Sequence, residues 1–429
     1  MESQPRILSN KISVISFILK ILLLVFPAFC ISAQKGGEWP NFHGSDRTNK
    51  SAETGLLKEW PVGGPKLLFA IEGLGEGYSS VSIADGVIYT AGLLNNQTHV
   101  FAFDLNGKLL WKSPNGKAWS TTMAHAVTYT GSRSTPTYNN NRIYHLGEAG
   151  RLAAFDAKTG KELWCKDLAE QFEAPATKYG YAESVLIDGN NLYVRPAGKK
   201  GFQVCLNKDN GNIVWVNTEI PGVEGYTSPM ITEFGGFRQL IASSSLCYYS
   251  IDTKTGKLLW TADFKNERGL NISDVVISND LVFMTSGYGK GSMLIRLKTS
   301  AGKISPETVW QSEIMDNHHG GVILQNGFLY GSGSNSRGWF CLDLMTGTKK
   351  WNSDGKGSLT YADGMLYILE ERSGSVKLVT ATPEKYEQKG EFKVPKGGEG
   401  MYWAHPVVCG GRLYIRHADK IFVYDVNKK

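Results

Sequence analysis

Short apolar stretches, each closed by an Asp or Asn and reopened by an aromatic residue, recur along this 429-residue chain. Five share one ending: AFDAKTGKELW (Ala154 to Trp164), CLNKDNGNIVW (Cys205 to Trp215), SIDTKTGKLLW (Ser250 to Trp260), CLDLMTGTKKW (Cys341 to Trp351) and, one residue shorter, AFDLNGKLLW (Ala102 to Trp111). The pattern predicts a β-hairpin. Asp or Asn ends one strand and can bond the turn backbone two residues on, Gly supplies the positive φ of a tight turn, and Trp lies in the next strand. A hairpin that cannot bury its own apolar face has to stack on its neighbours.

The Trp column runs through Trp111, Trp164, Trp215, Trp260, Trp310 and Trp351 to an aromatic substitute at Phe392, in steps of 41 to 53 residues. That period suits one four-stranded propeller blade. A second hairpin precedes each of these positions, as in DGVIY (to Tyr89), NNRIY (to Tyr144), NGFLY (to Tyr330) and DGMLY (to Tyr367). Each unit therefore reads as two turns and about four strands. The last unit, His405 to Val426, stops after three strands, and KLLFAIE (Lys66 to Glu72) can supply the fourth, with Phe69 where a Trp would be. The fold expected is an all-β, eight-bladed β-propeller over residues 66–429, closed by its own N-terminal strand, so that no sheet edge is left open at the seam. At a fixed offset from a turn, the six Trp are read as blade-docking residues.

The Ala-x-Asp-x-x-Thr-Gly-x-x-x-Trp pattern resembles the tryptophan-docking repeat of PQQ-like (quinoprotein-type) propellers. That fold is shared by pyrroloquinoline quinone (PQQ) dehydrogenases and by outer-membrane assembly lipoproteins. The segment EWPNFHGSDRTNKSAETGLLKEWPVGGPKLLF (Glu38 to Phe69) is similar to the start of bacterial PQQ-like repeat proteins. The resemblance specifies a fold more than an activity, since Trp and Asp are structural with or without a cofactor. It implies a non-catalytic binding or protein-protein scaffold module, with a PQQ-dependent alcohol or sugar dehydrogenase, or a carbohydrate-binding propeller, as the alternatives. The dehydrogenases' disulfide between adjacent cysteines, their long insertions and their calcium-holding residues find no counterpart, so no cofactor is expected, PQQ with calcium being the alternative.

Residues 1–33 read as an export signal: Arg6, Lys11 and Lys20 precede the apolar run Ile21 to Phe29, and small residues follow at Ser32 and Ala33. A span from Ile12 to Phe29 would bury Lys20 near its centre, at about 2.5 to 3.5 kcal/mol. A cleaved signal is expected, with a retained anchor as the alternative. Phe29 before Cys30 argues against a lipoprotein site. This places the chain in the periplasm or outside the cell, with membrane contact only through an uncleaved signal. Residues 34–65 form a lead-in.

Gly makes up 49 residues, as a chain dense in hairpins requires. The net charge of +6 is mild, and no basic cluster with interleaved aromatics occurs, so nucleic acid is not expected as a partner. The cysteines beyond residue 33 (Cys165, Cys205, Cys247, Cys341 and Cys409) show no Cys-x-x-Cys spacing, and Cys205 and Cys341 share a repeat column with Ala102 and Ala154, where a small buried residue suffices. No Walker loop, nucleophile elbow or zincin motif is present, and no metal site or catalytic residue is assigned.

Candidate binding residues come from register. Nine residues before the aromatic of each second hairpin lies a small, polar column: Ser80, Thr135, Ser184, Asp274, Gly321, Ser358 and His405, with Ser228 joining if a short insertion is allowed. Bulkier residues that differ between blades come just before it. The candidate set at the channel mouth is Tyr78, Arg133, Glu183, Tyr226, Asp274, His318, His319, Trp403 and His405, of which Arg133 with Tyr78 and Tyr226 would suit an anionic or planar ligand. Breaking the repeat at one end of the ring is what a site for a small ligand or a cell-envelope protein would need.

Overall fold

A computed structural model describes residues 1–2, 37–123, 126 and 129–428. The chain divides into Met1–Ala33 and Gln34–Lys429. The signal expected over residues 1–33 lies outside the described residues except at Met1 and Glu2, and the fold is that of the second unit.

Among the described residues, eight antiparallel sheets follow one another along the chain. Blade 1 spans residues 82–117, blade 2 137–167, blade 3 186–217, blade 4 230–263, blade 5 276–312, blade 6 322–354, blade 7 357–393 and blade 8 407–425. First strands of neighbouring blades adjoin one another between blades 1 and 3 and between blades 5 and 8, and so border the central channel. Lys66–Ile71 completes blade 8 by pairing antiparallel with Lys420–Asp425, Leu67 opposite Tyr424 and Phe69 opposite Val423. The seam expected from the sequence is therefore present.

The turns explain why the repeat reads so clearly. At Asp85-Gly86, Asn140-Asn141, Asn326-Gly327 and Asp363-Gly364 both central residues have positive φ, the geometry that matches a hairpin to the right-handed twist of its strands. In the outer hairpins the Asp accepts from the turn, as Asp104 Oδ1 does from the amides of Asn106 and Lys108.

Blades are joined by a lock in which the Trp of one blade donates its indole N–H to a backbone carbonyl of the next. Trp111 bonds Ala157 O, Trp164 bonds Lys208 O, Trp215 bonds Thr253 O and Trp310 bonds Leu344 O, each at 2.9 Å. In all four the acceptor follows the turn's Asp or Asn. The ring also lies against the turn Gly of the next blade: a Cβ on Gly256 would fall 2.7 Å from Trp215, and one on Gly160 2.6 Å from Trp111.

Trp351 donates likewise to Thr382 O of blade 7 at 2.7 Å, Phe392 of blade 7 has no N–H to donate, and the two remaining departures have visible causes. Blade 5 has a long outer hairpin, Gly291–Ser300 with Lys303–Ser312, in place of the Thr-Gly turn, and Trp260 donates instead to Gln239 Oε1 within its own blade. At the seam Phe69 has no N–H, so Arg412, its guanidinium 5.8 Å from the Phe69 ring centroid, donates to Leu105 O, the equivalent carbonyl. Cys205, Cys247, Cys341 and Cys409 are buried and Cys165 exposed, all as free thiols.

A second belt, drawn from the small polar column, links blade 8 through blades 1 to 5 near the axis. Ser80 N donates to Thr135 Oγ1, Thr135 N to Ser184 Oγ, Ser184 N to Ser228 Oγ and Ser228 N to Asp274 Oδ1, at 2.6 to 3.0 Å. Ser80 Oγ continues it to His405 O in blade 8. In blades 1 to 4 the buried amide is thus satisfied by the next blade's side chain.

Trp215→Phe keeps the ring and removes the donor, leaving Thr253 O without its partner. Chemical denaturation should show a loss of about 1 to 2 kcal/mol, against about 3 to 5 for Trp215→Ala, which also empties the site over Gly256. A Trp215→Phe variant as stable as wild type would mean that the indole bond contributes nothing.

Candidate functional site

The lead-in is built into the propeller as a plug. Trp39 bridges Ile83 in blade 1, and Pro40 O accepts from Tyr138 N in blade 2. The chain then crosses the axis: Arg47 donates to Ser184 O (3.1 Å) and Val185 O in blade 3 and to Pro229 O (3.2 Å) beside blade 4. Lys50–Ser51 pairs parallel with Gly357–Ala362 as a fifth strand on blade 7. Trp60 finally packs on Phe392, at 5.2 Å between ring centroids, beside the blade 7 position that has Phe in place of Trp.

His43, Arg47 and Asn49 hold positive φ values of 67°, 58° and 59°. Left-handed residues other than Gly cost about 1 to 3 kcal/mol each. They persist because the blades grip the plug from several sides.

At the tip of the plug His43 joins three blades. Its Nε2 lies 2.9 Å from His405 Nδ1, its Nδ1 lies 3.5 Å from Asp274 Oδ2, and His405 Nε2 donates to His319 O at 2.7 Å. Gly321, the one column residue without a side chain, leaves the room: a Cβ there would sit 3.2 Å from His405.

Above this floor is a cavity of about 480 Å³. Of the nine candidate residues, Tyr78, Arg133, Tyr226, Asp274, His318, His319, Trp403 and His405 line it. Glu183 does not. It is buried against Arg195, its Oε2 3.2 Å from that guanidinium and its Oε1 accepting from the Arg195 amide. Strand alternation explains the split. Residues two before the belt are Tyr78, Arg133, Ala182, Tyr226, Ile272, His319, Lys356 and Trp403, one per blade, and all eight line the cavity. Glu183 is one before Ser184 and points to the other side.

Sequence reasoning missed Phe42 and His43 on the plug, Tyr129 and Tyr179, and Tyr288, Glu371 and Arg372, which also line the cavity. The last three lie in loops joining the second and third strands of blades 5 and 7, at the same mouth. The register that located the others marks only the loops before first strands; counting forward from each second strand would have reached these.

Aromatic contacts run along the wall. Trp403 meets Tyr78 and Tyr129, each at 5.0 Å, and His319 at 4.9 Å; its indole N–H donates to Glu371 Oε2. Arg133 lies over Trp119 (5.3 Å) and Tyr78 (5.8 Å).

A family model described as outer membrane protein assembly factor BamB, of the PQQ-like type, matches residues 96–353, more than half of the chain. The chain belongs to this family of PQQ-like propellers. The BamB of Moranella endobia (strain PCIT) is 26% identical over 265 residues, which cover 56% of this chain and 62% of that protein. The chain thus spans less than two thirds of that relative's length. Among solved structures, BamB from Moraxella catarrhalis aligns with a TM-score of 0.59 at 15% identity, covering 84% of this chain and 99% of that one. Quinohemoprotein alcohol dehydrogenase from Comamonas testosteroni aligns at 0.63 and 12%, covering 92% and 81%. At such identities the likeness is one of fold.

In this PQQ-like propeller the floor holds its protons in a fixed order. A carbonyl only accepts, so His405 Nε2 carries a proton, and a neutral His405 then accepts at Nδ1 from His43 Nε2. That leaves His43 Nδ1 as an acceptor facing Asp274, and the carboxyl must bring the proton. Burial pushes Asp274 up to about 7, in spite of the nearby Arg47, while burial holds His43 well below its usual value and lowers His405 to about 4. Glu183 and Arg195 are the other charges acting on Asp274. The two histidines of the floor are therefore uncharged at neutral pH, and Asp274 is the group there that changes charge near pH 7.

A carboxyl whose folded pKa is raised contributes stability that is full below about pH 4 and lost as pH rises through about 7. Asp274→Asn keeps an acceptor for the Ser228 amide and offers a permanent N–H to His43. Its stability relative to wild type should rise from pH 4 to pH 7, by on the order of 4 kcal/mol in total. Denaturant midpoints across that range test this; parallel pH profiles for the two proteins would show that Asp274 has no raised pKa.

Proposed function

We propose that the protein is an exported, non-catalytic binding module of the cell envelope that takes a small ligand into the channel-mouth cavity. The observation that supports this most is the column two residues before the belt. Scaffold requirements are the same in every blade, yet this column changes identity from blade to blade while all its members face one cavity. The export reading rests on residues 1–33, and an envelope setting agrees with relatives named as outer membrane assembly factors.

The dehydrogenase reading needs PQQ with calcium, and calcium takes six to eight oxygen ligands. The carboxylates lining the cavity, Asp274 and Glu371, are already engaged. Asp274 Oδ1 accepts from the Ser228 amide and its Oδ2 faces His43 at 3.5 Å without a hydrogen bond, while Glu371 has the Trp403 indole, His319 at 3.5 Å and Lys356 at 3.4 Å. None of the five described cysteines lines the cavity, so nothing there resembles a disulfide platform. This donor set does not fit the quinone and calcium pair.

Wild-type protein and Trp403→Ala, equilibrated with a small-molecule extract of the envelope and then washed, should differ by a compound retained only by the wild type, as seen by mass spectrometry, with unfolding midpoints within about 2 °C. Identical retention by both proteins would remove the cavity from the function. Dye reduction with alcohols or sugars in the presence of PQQ and calcium would replace the binding reading with the dehydrogenase.

A further inference from the structure

We propose that the cavity is shaped for an acidic saccharide, a pyranose unit bearing a carboxylate, with the ring on the aromatic wall and the anion toward Arg133. This rests on the binding reading above and specifies its ligand. Three independent features lead to it.

The first is the attitude of the rings. Trp403 is inclined 45° to Tyr78, 39° to Tyr129 and 57° to His319; Tyr288 makes 68° with His318 and Tyr179 makes 64° with Tyr226. A flat polycyclic ligand is best held between parallel faces, and these pairs provide none. Single inclined faces suit a puckered ring that presents C–H groups on one side and hydroxyls around its edge.

The second is an unsatisfied polar atom. His318 lines the cavity, and its Nδ1 is buried with no hydrogen-bond partner among the described residues. Burial and the neighbouring His319 keep the ring neutral, so Nδ1 is either an acceptor or an N–H donor according to tautomer. A sugar hydroxyl answers both cases. Buried polar atoms are rarely left alone, which points to a ligand as the partner.

The third is the charge left once internal pairs are removed. Asp274 and Glu371 are spent on protein partners, as described. Arg133 donates from Nη1 to Gly131 O at 3.3 Å and from Nη2 to Tyr129 O, which fixes the guanidinium plane. Its carboxyl neighbour, Glu148, lies 3.9 Å away and is raised by burial to about 7, so it neutralises Arg133 only in part. Lys356 is paired with Glu371, and Arg372 adds positive charge from blade 7. A half-enclosed cavity with uncharged histidines in its floor and arginines in its walls favours an anion.

Isothermal titration with digalacturonate, with galactobiose as the same rings lacking carboxylates, and with 2-naphthoate as a flat acid separates the contributions. Digalacturonate should bind at least about tenfold more tightly than galactobiose at low salt, and the gap should narrow at high salt. Arg133→Met should bring the two sugars to within about threefold of each other. The exposed Arg372→Met should narrow the gap by a smaller factor and provides the same test if Arg133→Met does not fold. Equal affinity for both sugars in the wild type, or tighter binding of 2-naphthoate than of either, overturns the inference. If neither sugar binds while an envelope compound is still retained through Trp403, the saccharide assignment fails and the binding module stands. If Trp403→Ala changes neither assay, both fail.

Discussion

The architecture depends on one bond repeated around the ring, the indole N–H of one blade to the carbonyl that follows the turn Asp of the next. It works because three residue types act together. Asp or Asn folds the hairpin so that the following carbonyl faces outward along the blade, Gly leaves space for the indole to lie flat on the turn, and Trp provides a large apolar face with one donor at its edge. Remove the donor and the ring needs a replacement, which is what Arg412 supplies at the seam where Phe69 has only a face to offer. Where the acceptor is missing, as before blade 5, Trp260 turns back to Gln239. The compensation at both places shows that leaving the polar group unpaired is the larger cost.

Periodicity decided how much could be read from the chain. Trp215, Thr255-Gly256 and Asp252 belong to a pattern that recurs, and recurrence identified blades, turns and the closing strand. The belt was visible as a small polar column, but its meaning was not. Ser184 and Ser228 look like passive residues until the amide of the preceding blade is seen to need them. The candidate site was partly legible for the same reason, since a strand alternates and register alone selects the residues facing the axis. Glu183 shows the limit: one position out of phase, it met Arg195, a counter-ion that the motif did not mark. The plug could not be read at all. His43, Arg47 and Asn49 occur once, so no repeat marks them, and their partners are scattered over five blades.

The plug also alters what the ring can be. Eight similar blades around an axis make a tube open at both ends, and a tube of near-identical strands offers a ligand little to distinguish. A single strap laid across it breaks the symmetry, because each blade meets a different plug residue: blade 3 meets Arg47, blade 5 His43 through Asp274, and blade 7 the short parallel strand. The three left-handed residues measure how far the strap is bent to do so, and the blades' hydrogen bonds keep it there.

A floor built from two histidines and a carboxyl would ordinarily be a poor base for an ion-selective cavity, since each group could charge and cancel the walls. Here burial prevents it for the histidines, holding His43 well below its usual value and lowering His405 to about 4, although the bond to the His319 carbonyl favours the charged imidazole. That carbonyl, which only accepts, fixes instead which nitrogen of His405 carries the proton. Uncharged histidines leave the field inside the cavity to Asp274 and to Arg133 and Arg372 above. The same carbonyl belongs to the residue whose ring meets Trp403 at 57°, so one residue of blade 6 sets both the tautomer of the floor and part of the aromatic wall. Floor and wall are therefore coupled through a single residue, and a change that displaced His319 would alter the hydrogen bonding of the floor as well as the shape of the cavity.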